Sequence, residues 1–305
     1  MDQVFAAIDI GSNSTNLLIV DQSGKTLERV VRSTRLGANL ATTGALSAEA
    51  IQRTLDCLSE YEVLIKRHNV SYRRTVATAA CRVANNTKQF FAEVKKISST
   101  EPELISGEIE GALSFVGATS ALDEKVSTLV IDIGGASTEL MVGTETLDFA
   151  VSIPFGAVNI TEAELHRDPP RPEELTNAIS LVSDAVDDIA HNYPLIGHVD
   201  RVVGVAGTIV TVAAVEVGQK TFDPSALHKL KLSREAIEDV FRTLATEPLS
   251  DRVFNPGLPR DRADIIVGGC CVLVAVMRRL QISELTVSQY NLLDGLISEL
   301  RKKTS

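Results

Sequence analysis

The pattern of apolar residues predicts one order of strands and helices, and this order occurs twice along the chain. The first three apolar or alternating stretches predict the strands of a meander, at 4–10, 15–20 and 26–31. Helical spacing follows, beginning with a helix that has Ser47 as its N-cap and runs to about Lys66. The order then restarts with predicted strands at 127–133, 138–142 and 147–153, and helices follow again. Strands followed by helices, twice over, predict two duplicated α/β domains with mixed five-stranded sheets.

Two near-copies of one short motif lie about 120 residues apart in this repeat. They are Ala7-Ile-Asp-Ile-Gly-Ser-Asn-Ser-Thr-Asn16 and Val130-Ile-Asp-Ile-Gly-Gly-Ala-Ser-Thr-Glu139. Each is an apolar strand, an Asp, a turn of small residues, and a return to apolar residues. Successive N–H groups in such a turn form a nest for an anion, and the carboxylate can hold a divalent cation. One Asp would indicate only a turn after a strand, but Asp9 and Asp132 at equivalent places favour a phosphate and metal site.

The length of 305 residues favours two domains. We place the first at 1–125 and the second at 126–289, because the strand pattern restarts just after Lys125. A last helix, about 290–305, is predicted to pack back on the first domain through one apolar stripe. That stripe consists of Leu292, Leu293, Leu296, Ile297 and Leu300.

Net charge narrows the choice of partners. The formal charge of −10 argues against nucleic-acid binding, which depends on surplus Lys and Arg. Residues 1–125 carry 14 basic and 15 acidic side chains and the remainder 16 and 25, so an anionic substrate fits better against the first half.

Cysteine use and the apolar runs indicate the compartment. The four cysteines show no metal spacing, which favours a reduced cytoplasm. The N-terminal segment lacks the basic and apolar regions of a signal peptide. The longest apolar run, 265–277, is too short to cross a membrane and predicts a buried helix ended by Arg278 and Arg279.

Five segments together resemble the exopolyphosphatase and guanosine pentaphosphate phosphatase family, within the actin-like superfamily. In chain order they are Asp9-Ile-Gly-Ser-Asn-Ser14, Val76-Ala-Thr-Ala-Ala-Cys-Arg82, Ile105-Ser-Gly-Glu-Ile-Glu110, Asp132-Ile-Gly-Gly-Ala-Ser-Thr-Glu139 and Arg262-Ala-Asp264. The resemblance covers nearly the whole chain and is to the short, two-domain form. It implies two actin-like, ribonuclease H-like domains with the substrate cleft between them.

The resemblance also assigns roles by position. Glu110 is implied as the base toward water and Arg82 as a substrate-binding arginine. The phosphate loops are implied at Gly11, Ser12, Asn13 and Ser14 and at Gly134, Gly135, Ala136 and Ser137. Asp132 and Glu139 are implied as carboxylates that hold Mg²⁺ (or Mn²⁺) or position water, so that Asp9, Asp132 and Glu139 form the expected metal set. Glu139 is also the second candidate for the catalytic carboxylate.

Several positions leave other interpretations open. Residues 204–208 are either a simple helix entry or a turn near the ligand, with Gly207 as the candidate contact. Arg262 and Asp264 are interpreted as an ion pair at a helix start. By spacing alone, Glu110 would be only a helix-start carboxylate.

Four departures from the family pattern bear on substrate preference. Ala136 stands where a third glycine is common, Ala79 where Ser is usual, Ile109 where a first Glu is common, and Leu293 where Arg is usual.

The function expected from these features is an Mg²⁺-dependent exopolyphosphatase that releases terminal phosphate from inorganic polyphosphate. Hydrolysis of guanosine pentaphosphate to tetraphosphate is the nearest alternative. A kinase is disfavoured because no further Gly-rich adenine loop follows, and a non-enzymatic sensor of polyphosphate or an alarmone is disfavoured because Glu110 and both loops are intact. A homodimer is expected.

Overall fold

The computed structural model describes residues 3–122 and 124–304, and the chain divides into two compact units. Unit 1 comprises Met1–Ser120 and Asn291–Ser305, and unit 2 comprises Ala121–Tyr290. Both boundaries lie within five residues of the predicted ones.

The strands of the described residues are numbered along the chain. They are β1 Phe5–Ile10, β2 Ser14–Val20, β3 Thr26–Ser33, β4 Tyr72–Ala77, β5 Glu103–Leu104, β6 Thr128–Ile133, β7 Thr138–Gly143, β8 Leu147–Ile153, β9 Arg201–Val205, β10 Lys231–Ser233 and β11 Glu284–Val287.

The α-helices are numbered in the same way. They are α1 Leu40–Thr43, α2 Ala48–Arg67, α3 Ala79–Val83, α4 Thr87–Ser98, α5 Gly107–Thr119, α6 Ala157–Glu164, α7 Pro172–Asn192, α8 Ala206–Glu216, α9 Arg234–Thr246, α10 Leu249–Arg252, α11 Ile266–Arg279 and α12 Leu292–Thr304.

Unit 1 is built on a five-stranded mixed sheet with the order β3-β2-β1-β4-β5. The meander β1–β3 is antiparallel, and β4 joins β1 in parallel after the helical crossover. Because successive side chains of a strand point to opposite faces, central β1 feeds two apolar layers. Ala6, Ile8 and Ile10 pack with the α2 and α4 side, whereas Phe5 and Ala7 pack with α12. This meander and crossover order belongs to the ribonuclease H-like, actin-like fold that was predicted.

Unit 2 repeats the meander and adds a strand. Its order is β10-β11-β9-β6-β7-β8, so the sheet has six strands where five were predicted. The missed strand, β10, is three residues long with one apolar residue, Leu232, paired to Leu285 of β11. So short a segment cannot show an alternating pattern, and its partner lies about 50 residues further on.

Two local predictions from the sequence are confirmed. The Oγ of Ser47 accepts a hydrogen bond from the Ala50 N–H and caps α2. Helix α11 is buried from Ile266 to Met277 and ends at Arg279, as the apolar run predicts. Within the described residues, no helix combines the length and the apolar character needed to cross a bilayer.

Helix α12 packs on α5 and on β1 in unit 1. Two glycines set this contact, because a Cβ on Gly117 would collide with the Asn291 carbonyl and one on Gly295 with the Leu113 carbonyl. An ion pair between Arg29 of β3 and Asp294, 2.5 Å long and mostly shielded from solvent, fixes the start of the helix. Backbone therefore lies directly against backbone where the two helices cross.

We expect Gly295→Ala to destabilise unit 1 by about 1–3 kcal/mol, because backbone atoms must move apart to admit the methyl group. The measurement is chemical denaturation. Gly107→Ala is the matched control, since a Cβ at this first position of α5 meets nothing within 4 Å. Equal stability of the two variants would contradict this account of the crossing.

Candidate active site

The first phosphate loop lies between β1 and β2 and is closed by one backbone hydrogen bond. The Gly11 N–H donates to the Ser14 carbonyl over 3.0 Å. The carbonyls of Ser12 and Asn13 accept from the N–H groups of Gly37 and Arg35, both at 2.8 Å. Because the carbonyl and N–H of one peptide unit point in opposite directions, the bond to the Ser12 carbonyl turns the Asn13 N–H away from Gly37. Among the described residues, the N–H groups of Ser12 and Asn13 have no acceptor, as an anion nest requires.

The second loop repeats this arrangement in unit 2. Here the Gly134 N–H donates to the Ser137 carbonyl, again over 3.0 Å. In the part of the chain that the structure describes, the N–H groups of Gly135, Ala136 and Ser137 find no acceptor. The same hydrogen bond from glycine to serine closes both turns, which supports the internal duplication.

The start of α6 holds the carbonyls of the second loop. The Ala157 N–H donates to the Gly134 carbonyl at 2.9 Å, and the Val158 N–H donates to the Gly135 carbonyl at 2.8 Å. The Nδ2 of Asn159 donates to the Ala136 carbonyl at 2.8 Å. Gly156 permits this approach, since a Cβ there would lie 2.6 Å from the Gly135 carbonyl carbon. All three carbonyls are thus engaged from one side, which leaves the amides on the other.

Asp9 is the penultimate residue of β1, just before the first loop, and stands opposite Asn16 of β2. The Asn16 Nδ2 donates to Oδ2 of Asp9 at 3.0 Å, whereas Oδ1 is buried and has no hydrogen-bond partner. Burial, together with the nearby Glu110 carboxylate, raises the pKa of Asp9 to about 7. A buried carboxylate oxygen without a donor is the environment that a cation would stabilise.

Glu110 lies in the first turn of α5, behind the N-cap Ser106. Its Oε2 accepts a hydrogen bond of 2.6 Å from the Nη1 of Arg82, which also donates to the Ile105 carbonyl at 3.2 Å. Burial raises the pKa of Glu110 above its ordinary value, although the Arg82 guanidinium opposes the rise. A carboxyl with a raised pKa accepts a proton from water more readily than an ordinary one.

The structure gives Arg82 a second task beside the predicted one. The side chain positions Glu110 through Nη1, while its Nε and Nη2 donate to no other described residue. Because a guanidinium carries five donors in a planar fork, those two nitrogens remain able to bind phosphate.

Asp132 and Glu139 face each other across β6 and β7, as Asp9 and Asn16 do in unit 1. Glu139 is only 5 % exposed, and its Oε1 accepts from the hydroxyls of Ser137 at 2.7 Å and Ser152 at 2.9 Å. The equivalent position thus carries an amide in one unit and a buried carboxylate in the other.

Arg262 is a residue whose position the sequence interpretation missed. The predicted ion pair with Asp264 is wrong, because the Arg262 guanidinium makes no ion pair or hydrogen bond with any described residue. It lies instead against Gly207, where a Cβ would collide with it. Gly207 is the second residue of α8 and follows Ala206, which adopts a left-handed φ of 66°. Only the spacing of Arg262 and Asp264 was visible in the sequence, and spacing could not reveal a partner 55 residues away.

The predicted residues therefore assemble in two sets. Unit 1 brings together Asp9, Arg82, Glu110 and the loop 11–14. Unit 2 brings together Asp132, Glu139 and the loop 134–137, and separately places Arg262 on Gly207. Among the described residues, no three His, Cys, Asp or Glu side chains form a ready-made metal cluster.

Two actin-like units with matching amide loops and a buried carboxylate are typical of proteins that bind phosphate groups. A family model described as the Ppx/GppA phosphatase family matches residues 17–304. The chain belongs to this family, which confirms the expected family and, at that level, a phosphoanhydride hydrolase.

Curated relatives and solved structures agree with this assignment. Exopolyphosphatase 2 of Mycobacterium tuberculosis is 33 % identical over 97 % of this chain and 98 % of its own. The guanosine-5′-triphosphate,3′-diphosphate pyrophosphatase of Photobacterium profundum is 31 % identical over 98 % of this chain, which spans 60 % of that protein. The crystal structure of the Aquifex aeolicus Ppx/GppA family member superposes over the whole of both chains with a TM-score of 0.83 at 30 % identity.

We expect Asp9→Asn to stabilise the metal-free protein at high pH. The native carboxyl, with a pKa near 7 against 3.8 ordinarily, binds a proton that the unfolded chain has lost. The contribution of this protonation to the free energy of unfolding is therefore fully present below pH 3.8 and is lost as the pH rises through about 7. Since one pKa unit corresponds to about 1.4 kcal/mol, and the side chain is partly exposed, the gain should be about 2 kcal/mol at pH 8 and near zero at pH 4.

Thermal melts with excess chelator from pH 4 to 8 measure this difference. Asp56→Asn, which removes an exposed carboxylate of the same unit, controls for the change in net charge. A pH-independent difference between Asp9→Asn and the unaltered chain would refute the account.

Proposed function

We propose that this protein is an exopolyphosphatase that releases orthophosphate from the end of inorganic polyphosphate. The observation that supports this proposal most directly is the Glu110 carboxylate, which is half-buried near Asp9 and held by Arg82 at 2.6 Å in the unit that bears the first amide loop. Phosphoanhydride hydrolysis needs positioned water, an anion nest and cations, and little covalent chemistry from the protein. The preference for polyphosphate is supported by the end-to-end match with the relative named exopolyphosphatase.

In this proposal Glu110 accepts the proton of the attacking water. Arg82 fixes the carboxylate, so that the water is oriented before the bond forms. The water oxygen then bonds to the terminal phosphorus, and the bridging oxygen leaves with the shortened polymer. The free nitrogens of Arg82 bind the charged phosphoryl oxygens, and the nest at residues 12–13 of the same unit donates to neighbouring phosphate oxygens.

The carboxylates fit the Mg²⁺ that the family implies. Asp9 offers a buried oxygen without a donor in unit 1, and in unit 2 the corresponding residue is Asp132, with the Glu139 carboxylate opposite it. Mg²⁺ is usually held by one or two carboxylates with water and substrate phosphates, so the lack of a larger cluster among the described residues is compatible with it. When bound, Mg²⁺ would neutralise the charge that develops on the phosphate oxygens.

Guanosine pentaphosphate remains the second candidate substrate. The relatives that carry that activity in their names extend well beyond this chain, which spans about 60 % of them. A sensor that binds its ligand without turnover would not need the Glu110 carboxyl, whose pKa is raised by burial and which is held by an arginine. Replacing that carboxyl would therefore cost a sensor less than it would cost an enzyme.

Phosphate release should be measured from polyphosphate, guanosine pentaphosphate and ATP, each with Mg²⁺ and with excess EDTA. We expect the fastest release from polyphosphate and loss of turnover in EDTA, because a chain of net charge −10 has no basic surplus to neutralise the polymer. Faster release from guanosine pentaphosphate would reverse the substrate order. Full activity in EDTA would exclude the metal from the proposal.

We expect Glu110→Gln to lower kcat by on the order of 10²–10⁴ while polyphosphate still binds, since Gln keeps the size but cannot accept the proton. The measurements are kcat, the substrate Kd and a thermal melt. Glu108→Gln is the matched control, because Glu108 is exposed in the same first turn of α5. If Glu110 were only a helix-start carboxylate, both variants would lose about 1 kcal/mol or less and keep their activity. That result would make Glu139 the next candidate.

A further inference from the structure

A surface groove in unit 2 lies outside the residues assigned to phosphate hydrolysis. It has a volume of about 380 Å³ and is lined by residues 253–258 together with Lys220, Phe222 and Arg260. This volume falls within the range of small-molecule sites. We refer to it as the Phe254 groove.

The aromatic character of the Phe254 groove is unusual for an exposed surface. Phe254 is 71 % exposed and Phe222 is 36 % exposed. The Arg260 guanidinium lies 5.8 Å from the centre of the Phe254 ring. Two exposed aromatic rings in one groove offer a stacking surface for a flat ligand.

The cations of the groove have no acidic partner among the described residues. Lys220 and Arg260 form no ion pair with any described residue, and no acidic side chain from the described ranges lines the groove. Such a pair of free cations is notable in a chain of net charge −10. The groove therefore combines flat apolar surface with positive charge that an anion could neutralise.

The segment 252–257, which carries Phe254, is fixed by hydrogen bonds and close packing on its buried side. The buried Arg252 donates to the carbonyls of Leu244 at 2.8 Å and Ala263 at 3.0 Å. Gly257, with a φ of 82°, lies so close to the Ala214 carbonyl that a side chain would not fit. Binding would consequently cost little ordering of the loop, as in a preformed site.

We propose that the Phe254 groove binds a purine nucleotide, with the base stacked on phenylalanine and the phosphate bound by Arg260 and Lys220. Base stacking on aromatic side chains and phosphate binding by Arg or Lys are the two contacts that such a ligand requires. Inorganic polyphosphate lacks the flat apolar part and would leave both rings in water. The site goes beyond the proposed hydrolysis and does not depend on it.

The chain contains no tryptophan, which allows a direct test. Phe254→Trp places the only tryptophan of the sequence in the groove and retains an aromatic surface. Leu195→Trp is the control, because Leu195 is 63 % exposed in the same unit and does not line the groove. Guanosine 5′-monophosphate is the probe, since it has no phosphoanhydride and its binding is read independently of turnover.

We expect guanosine 5′-monophosphate to quench the Phe254→Trp fluorescence saturably and to leave Leu195→Trp without saturable quenching. Adding Arg260→Ala should weaken binding about tenfold by removing a charge-assisted contact. Guanosine without phosphate should bind similarly weakly, and orthophosphate alone should not quench. The proposal is overturned if the nucleotide quenches neither tryptophan, quenches both alike, or binds equally well without Arg260.

Discussion

The hydrogen bond from a glycine N–H to a serine carbonyl across each β-hairpin turn is the constraint on which the amide loop of each unit depends. It occurs between Gly11 and Ser14 and again between Gly134 and Ser137, at 3.0 Å in both units. It fixes the turn in one conformation, and neighbouring backbone then occupies the carbonyls on one side. The amides are left on the other side at no further conformational cost. An anion site is thus a consequence of how the sheet folds, and it needs no basic side chain.

Burying a charged carboxylate near such a loop costs free energy, and the two units offset this cost in different ways. In unit 1 burial penalises the charge on Asp9 and Glu110, and only Glu110 has an arginine beside it. In unit 2 two serine hydroxyls donate to the buried Glu139. Removing one partner of a buried charge costs more than the pair contributes, so these groups are poor choices for stability alone. Their retention is understandable if a cation and a phosphate complete the site.

The sequence predicted the features that depend on local pattern. The duplicated motif located both loops and both aspartates, Ser47 marked a helix start, and the apolar run before Arg278 marked a buried helix. It did not predict partners that distant chain segments supply. The contact of Arg262 with Gly207, the hydrogen bond from Arg82 to Glu110 and the pairing of β10 with β11 arise from tertiary packing. Two residues such as Arg262 and Asp264 can have ion-pair spacing while the backbone turns one of them elsewhere.

The position of the proposed base depends on the last helix of the chain. Glu110 stands in the first turn of α5, and that helix is fixed along its length by the backbone contact with α12 at Gly117 and Gly295. Helix α12 is in turn tied to the sheet by the ion pair of Asp294 with Arg29. A shift of α12 would therefore move α5 as a rigid element and carry Glu110 away from the Arg82 nitrogen that holds it. Because reacting groups must be placed to within about 1 Å, catalysis should be more sensitive to this crossing than stability is. On this argument the packing of the C-terminal helix on unit 1 helps to hold the proposed base in position.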